Sequence, residues 1–213
     1  MADDCCASKS SEIEKLANQA AQRRVLIAVL VINAAMFVIE FSAGLVAGSA
    51  ALMADSVDML GDAFVYVLSL YALQRSMTWK AGAALAKGGF ILLFGLGVLW
   101  QIGVKLTSGV PPSSSLMLIF GGVALAANLV CLRMLWRFRT QDVNMSSTFE
   151  CSRNDVIANV GVLIAAGAVA LSNSPWPDII VASIIAFIFP RSALRVLRSA
   201  WPQFRTARLT HQN

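Results

Sequence analysis

The chain has 213 residues, 57% of them hydrophobic and 14% charged, with a formal net charge of +5. A soluble domain carries about 25% charged residues, so this composition excludes an ordinary water-soluble globule and points to an all-α protein of the lipid bilayer. The positive balance does not imply nucleic acid, because the bases flank apolar runs and the two Tyr and eleven Phe form no base-stacking motif.

Residues 1–24 read as a polar N-terminal tail with no apolar secretory core. Cys5 and Cys6 lie in it and could hold a soft metal as paired thiolates, although vicinal cysteines make a poor chelate. The four Cys are scattered and build no disulfide framework, which places the tail in a reducing compartment. Six apolar spans follow, at about 25–46, 51–73, 83–106, 116–136, 148–171 and 178–197, each near the 20 residues that a bilayer requires. A short tail, 198–213, ends the chain. No sizeable soluble domain is expected. Residues 44–51 read as an uncharged turn, residues 107–115 with Pro111 and Pro112 as a helix break, residues 142–147 as a short polar connection and residues 173–177 as a turn. The glycines of the third span predict close helix approach.

With six spans both termini share one side. That side gathers every Lys and Arg except Lys105, an asymmetry that assigns it to the cytoplasm.

The second span carries three carboxylates. Asp55, Asp58 and Asp62 stand at i, i+3 and i+7 and so share one helix face. In a bilayer each Asp costs on the order of 2.5–3.5 kcal/mol, roughly 8–10 kcal/mol for three, unless protons, a cation or a metal compensate. Cys151 and Asp155 are likewise i and i+4, in the fifth span. Two facing helices would bring Asp58, Asp62, Cys151 and Asp155 together as four ligands, the number of a tetrahedral Zn²⁺ site. Hard Mg²⁺ or Ca²⁺ prefers an all-oxygen set; a thiol draws the preference toward Zn²⁺ and Cd²⁺. Four ionised groups carry twice the charge of a divalent ion, so binding should displace protons and release should readmit them. Asp55, Glu40, Asn33 and Asn159 are accessory polar residues of the same spans. Interhelical hydrogen bonding accounts for them more readily than ligation. Asn128 reads as a packing hydrogen bond, Cys131 as core, and His211 is not a ligand.

Residues Ser49 to Asp62 resemble the second-helix signature of the cation diffusion facilitator family, Ala-Asp-x-x-His-Met-Leu-x-Asp, with Asp58 at the His position. Cys151 to Asp155 is similar to the fifth-helix His-x-x-x-Asp, with Cys for His. Asn33 with Glu40, the Gly-rich turn to Ser49, and Arg191 to Leu194 also resemble the family, so the similarity spans about residues 22–200. The resemblance implies a divalent transition-metal exporter driven by proton antiport through alternating access, usually a homodimer, in an integral membrane setting such as the bacterial inner membrane. It implies no enzymatic activity and no tightly bound cofactor. Two departures stand out. The family usually adds a cytoplasmic metal-binding domain after the sixth helix, where this chain has about twenty residues. Cys151 replaces a neutral imidazole with a soft thiol. Zn²⁺ and Cd²⁺ therefore lead as cargo; Co²⁺, Ni²⁺ and Fe²⁺ are admitted, and Hg²⁺ is not excluded by Cys5 and Cys6. The alternative is a non-transporting membrane metal sensor or assembly partner.

Overall fold

The computed structural model describes the backbone of residues 2–71, 77–140 and 143–187, and the side chains of 19–64, 66, 67, 70, 89, 90, 92–140, 145 and 148–187. The side chains of Cys5 and Cys6, the bases Arg75, Lys80 and Lys87, and everything from residue 188 onward, including Pro190, Arg191 to Leu194 and His211, lie outside the described residues. Among the described residues there are six helices and no strand: α1 (Ala2–Ala47), α2 (Ala50–Tyr71), α3 (Met77–Ser108), α4 (Ser114–Trp136), α5 (Val143–Ser172) and α6 (Trp176–Phe187). Within them Gln19–Ala47, Ser114–Trp136 and Thr148–Ser172 are long and apolar enough to cross a membrane, and Leu92–Ser108 and Trp176–Phe187 are shorter apolar helices. Helix α2 is of spanning length too, but its aspartates set it apart by composition.

Helices α1, α2, α4 and α5 form the central bundle, with α1 against α2 and α4, and α5 against α4 and α2; α3 packs on α2. Phe94 of α3 meets Phe37 and Phe41 of α1 edge-on, both at 5.2 Å between ring centroids. The largest buried cluster joins Leu52, Met53 and Val57 of α2 to Val98 and Ile102 of α3, Val162 and Ala166 of α5, and Ile179 and Ile185 of α6. Large apolar side chains on the outer surfaces, among them Leu93, Trp100, Ile119, Ile164 and Phe187, are exposed. That is the expected surface of helices solvated by lipid rather than water.

The connections are tighter than the sequence suggests. Helix α1 continues through Gly44, and only Gly48 and Ser49 separate it from α2. Gly48 has φ 64°, a left-handed conformation that suits glycine at a helix C-terminus. Gly44 stays helical because the neighbouring backbone requires it: a Cβ there would stand 2.7 Å from Met53 Cγ and 3.0 Å from Met53 N. Residues 143–147, read as a polar connection, form the first turn of α5. The α3 glycines depart from expectation: Gly89, Gly95, Gly97 and Gly103 have nothing within 4 Å of a built Cβ, so they mediate no close helix approach among the described residues.

One end of the bundle is locked by a buried carboxylate. Asp178, at the start of α6, is fully buried and accepts from Ser49 Oγ (2.6 Å), Ala50 N (2.9 Å) and Ala51 N (3.1 Å). Ser49 Oγ in turn accepts from Leu52 N (3.1 Å). These bonds satisfy the orphan amides of the α2 N-terminus, where the helix dipole also favours an anion. Lys105, near the end of α3 and itself buried, supplies the counter-charge at 3.5 Å. The Ser113 amide, at the N-cap of α4, donates to Ala47 O (2.9 Å) and joins a fourth helix to the same end.

Removing one partner of a buried ion pair costs about 3–5 kcal/mol. Asp178→Ala should therefore lower the melting temperature of the purified protein substantially, and Asp178→Asn/Lys105→Met should recover part of the loss; equal melting for wild type and Asp178→Ala contradicts this role. Gly44→Val, which forces α1 from α2, should cost about 1–3 kcal/mol in the same measurement.

Candidate metal centre

The two helices that the sequence singles out pack directly on each other. Helix α2 turns Asp55 and Asp62 fully into the bundle, with Asp58 half-buried between them. Helix α5 turns Asp155 and Asn159 inward, with Cys151 half-buried one turn before Asp155. The Cys151 thiol lies against the Asp62 carboxyl and within electrostatic reach of Asp58 and Asp155. Asp155 interacts electrostatically with Asp62, Asp58 and Asp55 in turn. The structure thus gathers Asp58, Asp62, Cys151 and Asp155 at one interface. Among the described residues, no three His, Cys, Asp or Glu stand close enough to enclose an ion. A four-ligand shell therefore requires these side chains to draw closer together than they stand.

The partners of this group are unequal. Asp62 Oδ2 accepts from the Tyr66 hydroxyl at 3.2 Å. Asp155 Oδ2 is buried and receives no hydrogen bond, and neither does the buried Ser152 Oγ one turn before it. A buried polar atom without a partner is uncommon in a folded protein.

Each accessory residue has a distinct place. Asn33 belongs to the α1–α4 contact: its Nδ2 donates to Val29 O (2.9 Å) and reaches Cys131 Sγ at 4.0 Å. Glu40 is buried in α1 with its carboxyl against that of Asp55. Asn159 Nδ2 donates to Asp55 Oδ2 (2.7 Å) and to Asp155 O (2.9 Å), tying α5 to α2. Asp55 and Asn159 thus make the interhelical bond that the sequence suggests. Asn128 does not: it is buried with neither side-chain atom hydrogen-bonded. Cys131 lies in the buried cluster of Leu26, Tyr66, Leu135 and Met145, and neither it nor Cys151 is in a disulfide.

Sequence reasoning missed Tyr66, Lys105 and Asp178 as partners of buried acids. The signal for Tyr66 was present, since it stands four residues after Asp62 on the same helix face. Nothing in the local sequence ties Asp178 to Ser49.

Comparison with protein families matches residues 26–203 to the cation efflux transmembrane domain. Comparison with curated proteins gives no match. With the match covering most of the chain and the acidic helices buried in an apolar six-helix bundle, the protein belongs to the cation efflux, or cation diffusion facilitator, family of integral membrane metal-cation transporters, which are not enzymes.

Proposed function

We propose that this protein exports divalent transition-metal ions, foremost Zn²⁺ and Cd²⁺, from the cytoplasm in exchange for protons. Asp58, Asp62, Cys151 and Asp155 hold the cargo. The observation that carries this reading is the gathering of three carboxyls and a thiol at the buried α2–α5 interface, with an orphaned Asp155 oxygen among them. Co²⁺, Ni²⁺ and Fe²⁺ fit the same donors less selectively. Transport follows from alternating exposure of this site, with loading and release accompanied by opposite proton movements.

The orientation in this reading puts both termini in the cytoplasm, with the bacterial inner membrane as the setting. Arg139 stacks over Trp136 at 4.2 Å beyond the end of α4, the pairing expected where a helix meets a membrane interface. A homodimer through the membrane domain is part of the same reading. Gly89, Gly95, Gly97 and Gly103, uncovered among the described residues, are the surface that supports it.

Two experiments test the proposal. In liposomes loaded with a pH-sensitive and a metal-sensitive dye, Zn²⁺ or Cd²⁺ entry should accompany proton exit, and Asp62→Ala and Asp155→Ala should abolish both while the protein stays folded. Normal flux through both variants contradicts the site. Metal binding with no flux in wild type would instead mark a sensor or an assembly partner. In the same assay, Cys151→His should retain transport and shift the Cd²⁺/Zn²⁺ preference toward Zn²⁺; an unchanged ratio would show that the thiol does not touch the ion.

A further inference from the structure

Beside the four cargo residues lies a second cluster of buried acids with different chemistry. Glu40 of α1 is 0% exposed, Asp55 of α2 1% and Asn159 of α5 0%. The Glu40 and Asp55 carboxyls lie against each other, and Asn159 Nδ2 binds Asp55 Oδ2. The two carboxyls are hydrogen-bonded to each other; beyond that contact, Glu40 Oε1 and Oε2, Asp55 Oδ1 and Asn159 Oδ1 are buried and receive no hydrogen bond from another group. Neither carboxyl is paired with a Lys or Arg among the described residues. The amide orientation of Asn159 is fixed by its two acceptors, Asp55 Oδ2 and Asp155 O, so its own oxygen is the atom left over.

A proton shared between the two carboxyls would satisfy one oxygen pair and leave the other two oxygens orphaned. A cation accepts several lone pairs at once, and a divalent one neutralises two carboxylates fully. We infer that Glu40, Asp55 and Asn159 form a second cation-holding station, composed only of oxygen donors, on the route between the cargo site and the end of the bundle closed by Asp178.

The position follows from helix geometry. Along α2, Asp55 lies about 4.5 Å beyond Asp58 toward the Asp178 end. Along the antiparallel α5, Asn159 lies about 6 Å beyond Asp155 in the same direction. Asn159 links the stations physically, since its amide bridges the Asp155 backbone and the Asp55 side chain. A soft ion leaving a thiol-containing set for an all-oxygen set is held more weakly, which favours onward release. Loss of this station should therefore slow release without removing the ability to load.

The inference rests on Asp58, Asp62, Cys151 and Asp155 being the cargo site, and the experiment separates the two. The full chain, carrying Cys5→Ser/Cys6→Ser to silence the tail thiols, is titrated with Cd²⁺ in detergent. Bound ion is counted by equilibrium dialysis, and the ultraviolet cadmium–thiolate absorption is followed in parallel. Glu40→Gln and Asp55→Asn should each bind one Cd²⁺ fewer per chain than the parent while keeping the thiolate absorption. Asn159→Ala, which leaves both carboxyls in place, should weaken that same equivalent by about tenfold or more. Monodispersity and helical circular dichroism check the fold, and Asn159→Ala carries the test if either carboxyl variant fails to fold. Equal Cd²⁺ counts and affinities in the parent and the folded variants would overturn the second station and mark the carboxyl pair as a proton holder only. Absence of thiolate absorption in the parent is a different failure: it removes Cys151 from the cargo site and leaves the count at Glu40 and Asp55 to be read by itself.

Discussion

An ionised carboxyl inside an apolar helical bundle must be balanced, and how each buried acid is balanced divides this molecule into a fixed end and a working middle. Asp178 is balanced completely. It has two amides of α2, the Ser49 hydroxyl and the Lys105 ammonium. Such an acid is a structural joint, because every lone pair is spent on holding α2, α3 and α6 in register. Asp62 accepts from Tyr66, and Asp55 from Asn159. Glu40 meets only the Asp55 carboxyl, and one oxygen of Asp155 receives no hydrogen bond. The acids with fewer donors lie in the middle of the bundle, away from the fully bonded Asp178.

Outside these acids the bundle is mainly apolar. The bundle rests on Leu, Val, Ala and Met packing, with helices α1 and α2 brought close by Gly44 and by a two-residue connection. Close approach of α1 places Glu40 against Asp55, and direct packing of α2 on α5 places Asp62 against Cys151. The fold delivers acids to one another that lie far apart in sequence, and their mutual repulsion in a low-dielectric interior makes binding of a cation favourable.

Helix count, the membrane setting and the face carrying Asp55, Asp58 and Asp62 were legible in the sequence, because they depend on local periodicity and composition. The i and i+4 pairs were legible for the same reason. Boundaries were less so: Gly44 to Ala47 look like a turn by residue type, yet the α1–α2 contact keeps them helical. The partners of the acids were the least legible. That Asp178 caps α2, that Asn159 faces Asp55 rather than lipid, and that Glu40 meets Asp55 are tertiary facts with no local signature. Asn128 shows the opposite case, a buried amide whose expected hydrogen bond is not formed.

The central claim is that Cys151 and the aspartates of α2 and α5 share one metal ion. X-ray absorption on Zn²⁺-loaded protein carrying Cys5→Ser/Cys6→Ser tests it most directly. The account predicts a single sulfur at about 2.3 Å with oxygens at about 2.0–2.2 Å, the sulfur shell vanishing in Cys151→Ser. An oxygen-only shell in the parent, or a sulfur shell that survives Cys151→Ser, would contradict it.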